Sequence, residues 1–451
     1  MATARTVSTL KRKLLKSKLV KGVAGAFGLR LAYTGLTFLT SILLARVLGP
    51  TGFGTYTYAV VWAYLLSVPA TMGFDNFIVR EIAVYETQSL WGLMRGILHW
   101  ADKAVLAASV LLSLISIAVA YIISGGASSD TFVGFCIAIL LMPALSLRNV
   151  RRGAMRGLHH ITKGLLPELL IDPLILIALT AGAYWIFRSE MSALWVIAFY
   201  GIGTGITLVI ISHLLNRVLP ESAKTAQPEY KGKVWLSGAI PFMLIESIPI
   251  INAQTDVLML GAFRGVDAVG LYVPVNRGAQ LITFILMAMG STLAPTIASA
   301  YADNRLIELQ QTITKSVRIV AGVAFLFAAG LIVCGPFYLS LFGPEFVAGL
   351  RALYILCVGT FVSTAIGLSF SILNMTGHER YTANVGWVMT VLNIGLNAIC
   401  IPLWGVEGAA LATTTSTVLG GFMSLIAVRK RLGIDATLMG LPAKVTNDAS
   451  D

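Results

Sequence analysis

The chain has 451 residues, 57% of them hydrophobic and only 12% charged. A soluble domain carries about 25% charged residues, so this composition excludes a water-soluble globule and makes lipid the solvent. The net charge of +12 raises a nucleic-acid role, which the placement of the charges excludes below.

In chain order, a basic arm over residues 1–26 precedes twelve apolar stretches, each long enough to cross the roughly 30 Å of a bilayer's hydrocarbon. They cover 27–48, 55–74, 97–123, 131–150, 165–187, 191–215, 234–262, 268–298, 316–342, 346–374, 381–402 and 406–428. All are expected to be helices, because backbone groups in hydrocarbon must be satisfied within their own segment. The basic arm reads as cytoplasmic and its helix as uncleaved, the apolar run being too long for a secretory signal. Residues 216–233, with Pro220, Glu221, Lys224, Pro228 and Lys231, form the most polar interval between spans and read as a cytoplasmic linker. The expected organisation is an N-lobe at 27–215 (spans 1–6), the linker, a C-lobe at 234–428 (spans 7–12) and a cytoplasmic tail at 429–451. Outer loops are short, at 124–130, 188–190, 263–267 and 343–345, leaving no room for an extramembrane catalytic domain.

With both termini inside, 28 of the 33 Lys and Arg residues fall on the inner side, including Arg148, Arg151, Arg152 and Arg156. Only Arg46, Arg188, Arg264 and Arg351 are outside, and Arg277 is left as the one basic residue well inside the bilayer. This is the positive-inside asymmetry. It accounts for the basicity and predicts a multi-pass protein of the cytoplasmic membrane with no nucleic-acid partner.

Two internal matches indicate duplication. Gly49, Gly54 and Tyr56 recur at an offset of 216 as Gly265, Gly270 and Tyr272. Met155, Gly157 and Thr162 recur at 220 as Met375, Gly377 and Thr382, in turns expected on the inner side. Six spans per half give both halves one orientation, related by an axis along the membrane normal, with a solute cavity expected between them. Arg156, His159 and His160 make the first copy's inner rim the more basic, the side from which an anionic head group is expected to approach.

Polar residues inside spans mark a pathway or a partner helix. In the seventh span Glu246, Asn252 and Asp256 accompany Pro241 and Pro249, a bent acidic helix suited to a gate or a cation site. Asn393 and Asn397, one turn apart, offer with Asp256 and Thr413 or Thr414 an oxygen cage for a hard cation; interhelical hydrogen bonding is the competing reading. Asn276, Arg277 and Gln280 in the eighth span suit a phosphate group, or Arg277 pairs with Asp256 or Glu246. Glu168 and Asp172 share a face and form either a proton-carrying pair or an interfacial partner of Lys163 or Arg156. Adjacent His159 and His160 lack metal-ligand spacing, and no Gly-x-x-x-x-Gly-Lys-Ser/Thr string is present. No cofactor is therefore expected, and transport by this chain is expected to couple to H⁺ or Na⁺ rather than to ATP.

The strings LLARVLGPTGFGTYTYAVVW (43–62), GFDNFIVREIA (73–83) and LNMTGHERYTANVGWVMTVLNIGLNAICIPLWGVEGAALATTTSTV (373–418) resemble the polysaccharide-transporter branch of the MOP exporter superfamily, whose best-known members are Wzx-type flippases. The resemblance implies an all-α integral membrane protein of about twelve helices in two six-helix, MATE-like lobes. It also implies a non-enzymatic flippase that moves undecaprenyl-pyrophosphate-linked oligosaccharide repeat units to the outer leaflet by alternating access. Such units feed O-antigen, exopolysaccharide or capsule synthesis, alongside polymerase and chain-length machinery. Family members place basic residues in the cavity, and Arg30, Arg46 and Arg277 are the candidates here. Lipid II-type flippases, which usually carry fourteen spans, and MATE-like cation-coupled exporters are the alternatives; an enzyme acting on polyprenyl-linked sugars is a third reading.

Overall fold

The computed structural model describes residues 2–123, 130–187 and 191–440, and every regular element among them is helical. The expected outer loops at 124–130 and 188–190 lie outside these residues, Asp130 apart, as does the tail from 441. The elements in order are α1 (Ala2–Thr71), α2 (Phe74–Thr87), α3 (Trp91–Ile123), α4 (Asp130–Leu140), α5 (Met142–Gly157) and α6 (Ile161–Leu166). A π turn (Pro167–Ile171), α7 (Asp172–Phe187), α8 (Ala193–Val218), α9 (Glu221–Thr225), α10 (Gly232–Arg264), α11 (Val266–Ala302) and α12 (Leu306–Val333) follow. The chain continues through α13 (Gly335–Ser340), a 3₁₀ turn (Pro344–Gly349), α14 (Leu350–Ile366), α15 (Leu368–Met375) and α16 (Glu379–Leu432).

Among the described residues, ten stretches are long and apolar enough to span a membrane. Two of them, α1 and α16, contain a non-helical residue, Gly49 (φ 64°, ψ −178°) and Gly405 (φ 57°, ψ −124°). Each is therefore two rods joined at a glycine, which reconciles ten continuous stretches with the twelve spans read from hydropathy. The chain is a multi-pass, all-α membrane protein.

It divides into two compact units, Met1–Leu48 with Thr55–Ser247, and Gly49–Gly54 with Ile248–Asp451. The change of unit falls inside α10, between Pro241 and Pro249. The first unit buries Phe74, Phe77, Ile82, Met94, Met155 and Trp235 in one core. Gly153 and Gly157, one turn apart on α5, let the α2 backbone approach: a Cβ on Gly153 would sit 2.2 Å from the Asp75 carbonyl oxygen. Residues of the expected linker pack inside this unit, where the Glu229 N–H donates to the Gly92 carbonyl at 3.0 Å. The second unit buries Ile297, Ile313, Val317, Val320, Ile372 and Val428 in its own core.

The duplication is visible in backbone geometry. Gly265 (φ 84°, ψ 176°) repeats the conformation of Gly49, a left-handed value that favours glycine. Within the second unit the equivalent segments cross reciprocally. A Cβ on Gly54 would lie 1.8 Å from the Val266 oxygen, and one on Gly270 would lie 2.0 Å from the Pro50 oxygen. Thr51 hydrogen-bonds Asp267, its own equivalent position.

The other turns show the same duplication. Ser89, His159, Asn304 and Gly377 all have positive φ. In each case the next residue's N–H bonds back five residues, from Leu90 to Tyr85, His160 to Met155, Arg305 to Ala300 and His378 to Leu373, all at 2.9 Å. These are Schellman closures of helix ends. They align His159 with Gly377 and His160 with His378, an offset of 218. The offset of 220 suggested by the Met, Gly and Thr identities is thus corrected by two residues. The common constraint is the helix-ending turn, and the shared letters fall out of register with it.

Gly270→Ala should abolish folding, because its Cβ meets backbone, whereas Gly182→Ala, with open space around it, should be neutral. Equal yields of folded protein in detergent would contradict the crossing. His159→Gly should raise stability by about 1 kcal/mol, since a non-glycine residue there bears left-handed strain. An unchanged or lower unfolding midpoint would contradict that.

Candidate functional site

The first unit holds an ionic cluster built from two antiparallel helical faces. Arg148, Arg152 and Arg156 stand one turn apart on α5. Glu168, in the π turn, and Asp172, at the start of α7, stand one turn apart opposite them. Pro167 and Pro173 supply no N–H to the helical ladder, which loosens here into the wider π turn. In antiparallel register Arg148 pairs with Asp172, and Arg152 with Glu168. Thr207 on α8 donates to the second oxygen of Asp172 at 2.8 Å. The same register puts Gly164 opposite Arg156, so the third guanidinium turns to α2. There it donates to the Asp75 carbonyl at 2.9 Å and the Asn76 side-chain oxygen at 2.7 Å. Arg156 is thus held by neutral acceptors, whereas its two neighbours each meet a carboxylate.

This arrangement corrects two sequence readings, and it buries Arg148, only 5% exposed, within a candidate span over 130–157. Glu168 pairs with Arg152 rather than Lys163 or Arg156. Glu168 and Asp172 do not face each other as an uncompensated carboxylate pair: each is answered by an arginine. The missed signal was the i, i+4, i+8 file of arginines, set before an i, i+4 pair of carboxylates.

The second unit holds a cluster around one carboxylate. Asp256 on α10 is 5% exposed. It accepts from the Tyr272 hydroxyl at 2.7 Å, from Asn397 at 2.8 Å, from Asn393 at 3.3 Å and from Thr413. Asn397 also donates to the Asn393 oxygen at 3.0 Å. The buried Oδ1 of Asn397 has no hydrogen-bond partner among the described residues. The structure therefore gathers Asp256, Asn393, Asn397 and Thr413, as the one-turn spacing of the asparagines suggested. Thr414 is turned away to the Ile355 carbonyl at 3.3 Å. Tyr272 was known from the repeat alone, and its donation to Asp256 was not foreseen. Asp256 is held by neutral donors and is not paired with Arg277.

The remaining candidates are spread out. Arg30 and Arg46 are exposed residues of the first unit, while Asn276 and Arg277 are half-buried and Gln280 exposed on α11 of the second. Glu246 is half-buried in the first unit, while Asn252 lies in the second.

Comparison with known proteins accords with this architecture. Residues 19–301 match the polysaccharide biosynthesis protein family. The chain belongs to that family. Residues 241–399 also match the MatE family. The probable low-salt glycan biosynthesis flippase Agl15 of Haloferax volcanii is 24% identical over 412 residues, which cover 89% of this chain and 81% of that protein. Among solved structures, an inward-facing multidrug resistance MATE transporter of the MOP superfamily superimposes with a TM-score of 0.73 at 14% identity, covering 88% of this chain and 94% of its own. The lipid II flippase MurJ in an inward closed conformation gives 0.69 at 13%, covering 91% and 87%. These structural likenesses show the fold. The family match and the relative named as a flippase support a membrane transporter of the polysaccharide branch rather than an enzyme.

Arg148→Met alone should cost about 3–5 kcal/mol by leaving Asp172 buried without its partner. Adding Asp172→Leu should recover most of that loss. Thermal unfolding in detergent checks both, and a double variant no more stable than the single one would contradict a compensated pair.

Proposed function

We propose that the protein is a flippase for lipid-linked oligosaccharides, carrying a polyprenyl-pyrophosphate head group with its sugars from the inner to the outer leaflet. The observation that carries this reading is the arginine file of α5, in which Arg156 is bonded only to neutral acceptors. Its two neighbours spend their charge on Asp172 and Glu168. A guanidinium so placed can grip a phosphate through paired N–H donors as the head group leaves water. Arg30, Arg46, Asn276, Arg277 and Gln280 are proposed to line the rest of the route, while the lipid tail stays in the bilayer. Both termini are proposed to be cytoplasmic, following the asymmetry of basic residues, with polymerase and chain-length machinery taking the product.

Coupling is proposed to reside in the second unit, using H⁺ or Na⁺. Asp256 with Thr413 and the two asparagines forms an oxygen-rich group. Rotating the amides of Asn393 and Asn397 would present their oxygens beside the carboxylate, the donor set that a hard cation takes. The Asn397 Oδ1, buried and without a partner among the described residues, fits that role. Asp256 lies on α10 beyond Pro249, and the change of unit falls on the same helix between Ser247 and Ile248, so charge at Asp256 can bias the helix that runs from one unit into the other. The match of residues 241–399 to the MatE family supports cation coupling in this half.

Depleting the protein should accumulate lipid-linked oligosaccharide on the inner leaflet, seen by mass spectrometry of extracted lipids; no accumulation would contradict the reading. Arg156→Gln, and independently Arg277→Ala, should lower export at least tenfold with folded protein retained, whereas full activity would remove that residue from the route. Asp256→Asn should abolish the dependence of transport on an imposed Na⁺ or H⁺ gradient, and a retained dependence would place coupling elsewhere.

A further inference from the structure

A cavity of about 310 Å³ lies wholly within the first unit, away from the arginine file's contacts with α2 and α7. Its polar lining comes from Arg95, His99 and Asp102 on α3, Arg151 on α5, Asn216 on α8 and Lys224 on α9. Three fixed cations thus converge with one carboxylate. Asp102 is already engaged by Arg151 at 2.8 Å. That leaves the Arg151 Nε as a buried donor with no hydrogen-bond partner among the described residues. Arg95 uses one nitrogen on the Ala226 carbonyl at 2.8 Å, and Lys224 is tied only to the 83%-exposed Glu221. Unused donors around a space of this size call for an anionic acceptor.

The surfaces above the cavity say what carries that anion. On α3 the face of His99 and Asp102 continues into exposed Leu106 and Val110. On α8 the face of Asn216 continues into exposed Val209, Ile206 and Ile202. Two apolar stripes therefore run from a cationic pocket toward the bilayer core, as a phosphate head with acyl chains requires.

We propose that this pocket binds the phosphate of an anionic phospholipid, separately from the transported substrate. The bound lipid fastens the polar segment carrying Lys224 to α3 and α5. That segment already lies closely on α3, where a Cβ on Gly96 would meet the Glu229 oxygen at 1.7 Å. Headgroup occupancy thereby steadies the part of the chain that leads into α10, and stability becomes sensitive to the charge of the surrounding lipid.

The test is thermal unfolding of the full-length protein in detergent, with added phosphatidylglycerol, phosphatidylcholine or inorganic phosphate at equal phosphate concentration. Phosphatidylglycerol should raise the midpoint and phosphatidylcholine should not. Lys224→Glu, at a rim position, should weaken the phosphatidylglycerol affinity about tenfold, read as a shifted dose response. Asp102→Asn removes the repelling carboxylate and should leave that affinity equal or higher, an opposite sign that mere structural damage would not give. Equal responses to the two lipids, or a wild-type dose response in Lys224→Glu, would overturn the proposal. An equal response to inorganic phosphate would show a soluble phosphate ester site and overturn the lipid assignment. These readouts measure lipid binding directly, so they fail or succeed independently of the transported glycan's identity.

Discussion

A bilayer core offers no water to an unpaired charge, and that constraint explains where this protein puts its polar groups. Several buried acidic and basic side chains among the described residues are answered by a neighbour. Arg148 meets Asp172 and Arg152 meets Glu168 through salt bridges, while Asp256 is surrounded by a tyrosine, two asparagines and a threonine. Some buried polar atoms among the described residues lack a hydrogen-bond partner, Arg148 Nε and Arg151 Nε among them. Arg156 opposes a glycine and rests on neutral oxygens, and one amide oxygen of Asn397 is left over. These are the places where a charged solute or an ion gains most by arriving.

The two halves keep a common frame and differ in their charge. The frame consists of the left-handed glycines at 49 and 265, the reciprocal crossing at Gly54 and Gly270, and Schellman closures at four corresponding turns. At the offset fixed by those turns, Arg156 corresponds to Asn374 and Asp172 to Thr390. At the offset of the glycines, Asp256 corresponds to Thr40. Backbone geometry common to both halves thus supports an ionic cluster in one and a single shielded carboxylate in the other. Under the proposed function, that division gives one half to an anionic head group and the other to a coupling cation.

Hydropathy alone made the spans legible, because twenty-residue apolar stretches have few alternatives in lipid. The glycine repeat was legible for the same reason that it exists: a Cβ at Gly54 or Gly270 would collide with backbone. The asparagine pair could be read from spacing, since Asn393 and Asn397 must share a helical face. The arginine file was hidden by its own hydrophilicity. Arg148 stands at the end of the stretch read as 131–150 and Arg152 and Arg156 follow it, where low hydropathy looks like a loop, although Arg148 and Arg152 pair with Asp172 and Glu168. Tertiary pairing of this kind leaves only a complementary spacing, which is easily passed over in a chain read one span at a time.

The most direct test of the account is translocation by purified protein in proteoliposomes loaded with a labelled polyprenyl-pyrophosphate oligosaccharide. The measurement is the fraction of glycan that a membrane-impermeant glycosidase can reach from outside, before and after an Na⁺ or H⁺ gradient is imposed. The account predicts a protein-dependent rise in accessible glycan that the gradient accelerates and that Arg156→Gln suppresses. Accessibility no greater than in protein-free vesicles, together with gradient-driven movement of a small organic cation, would contradict it.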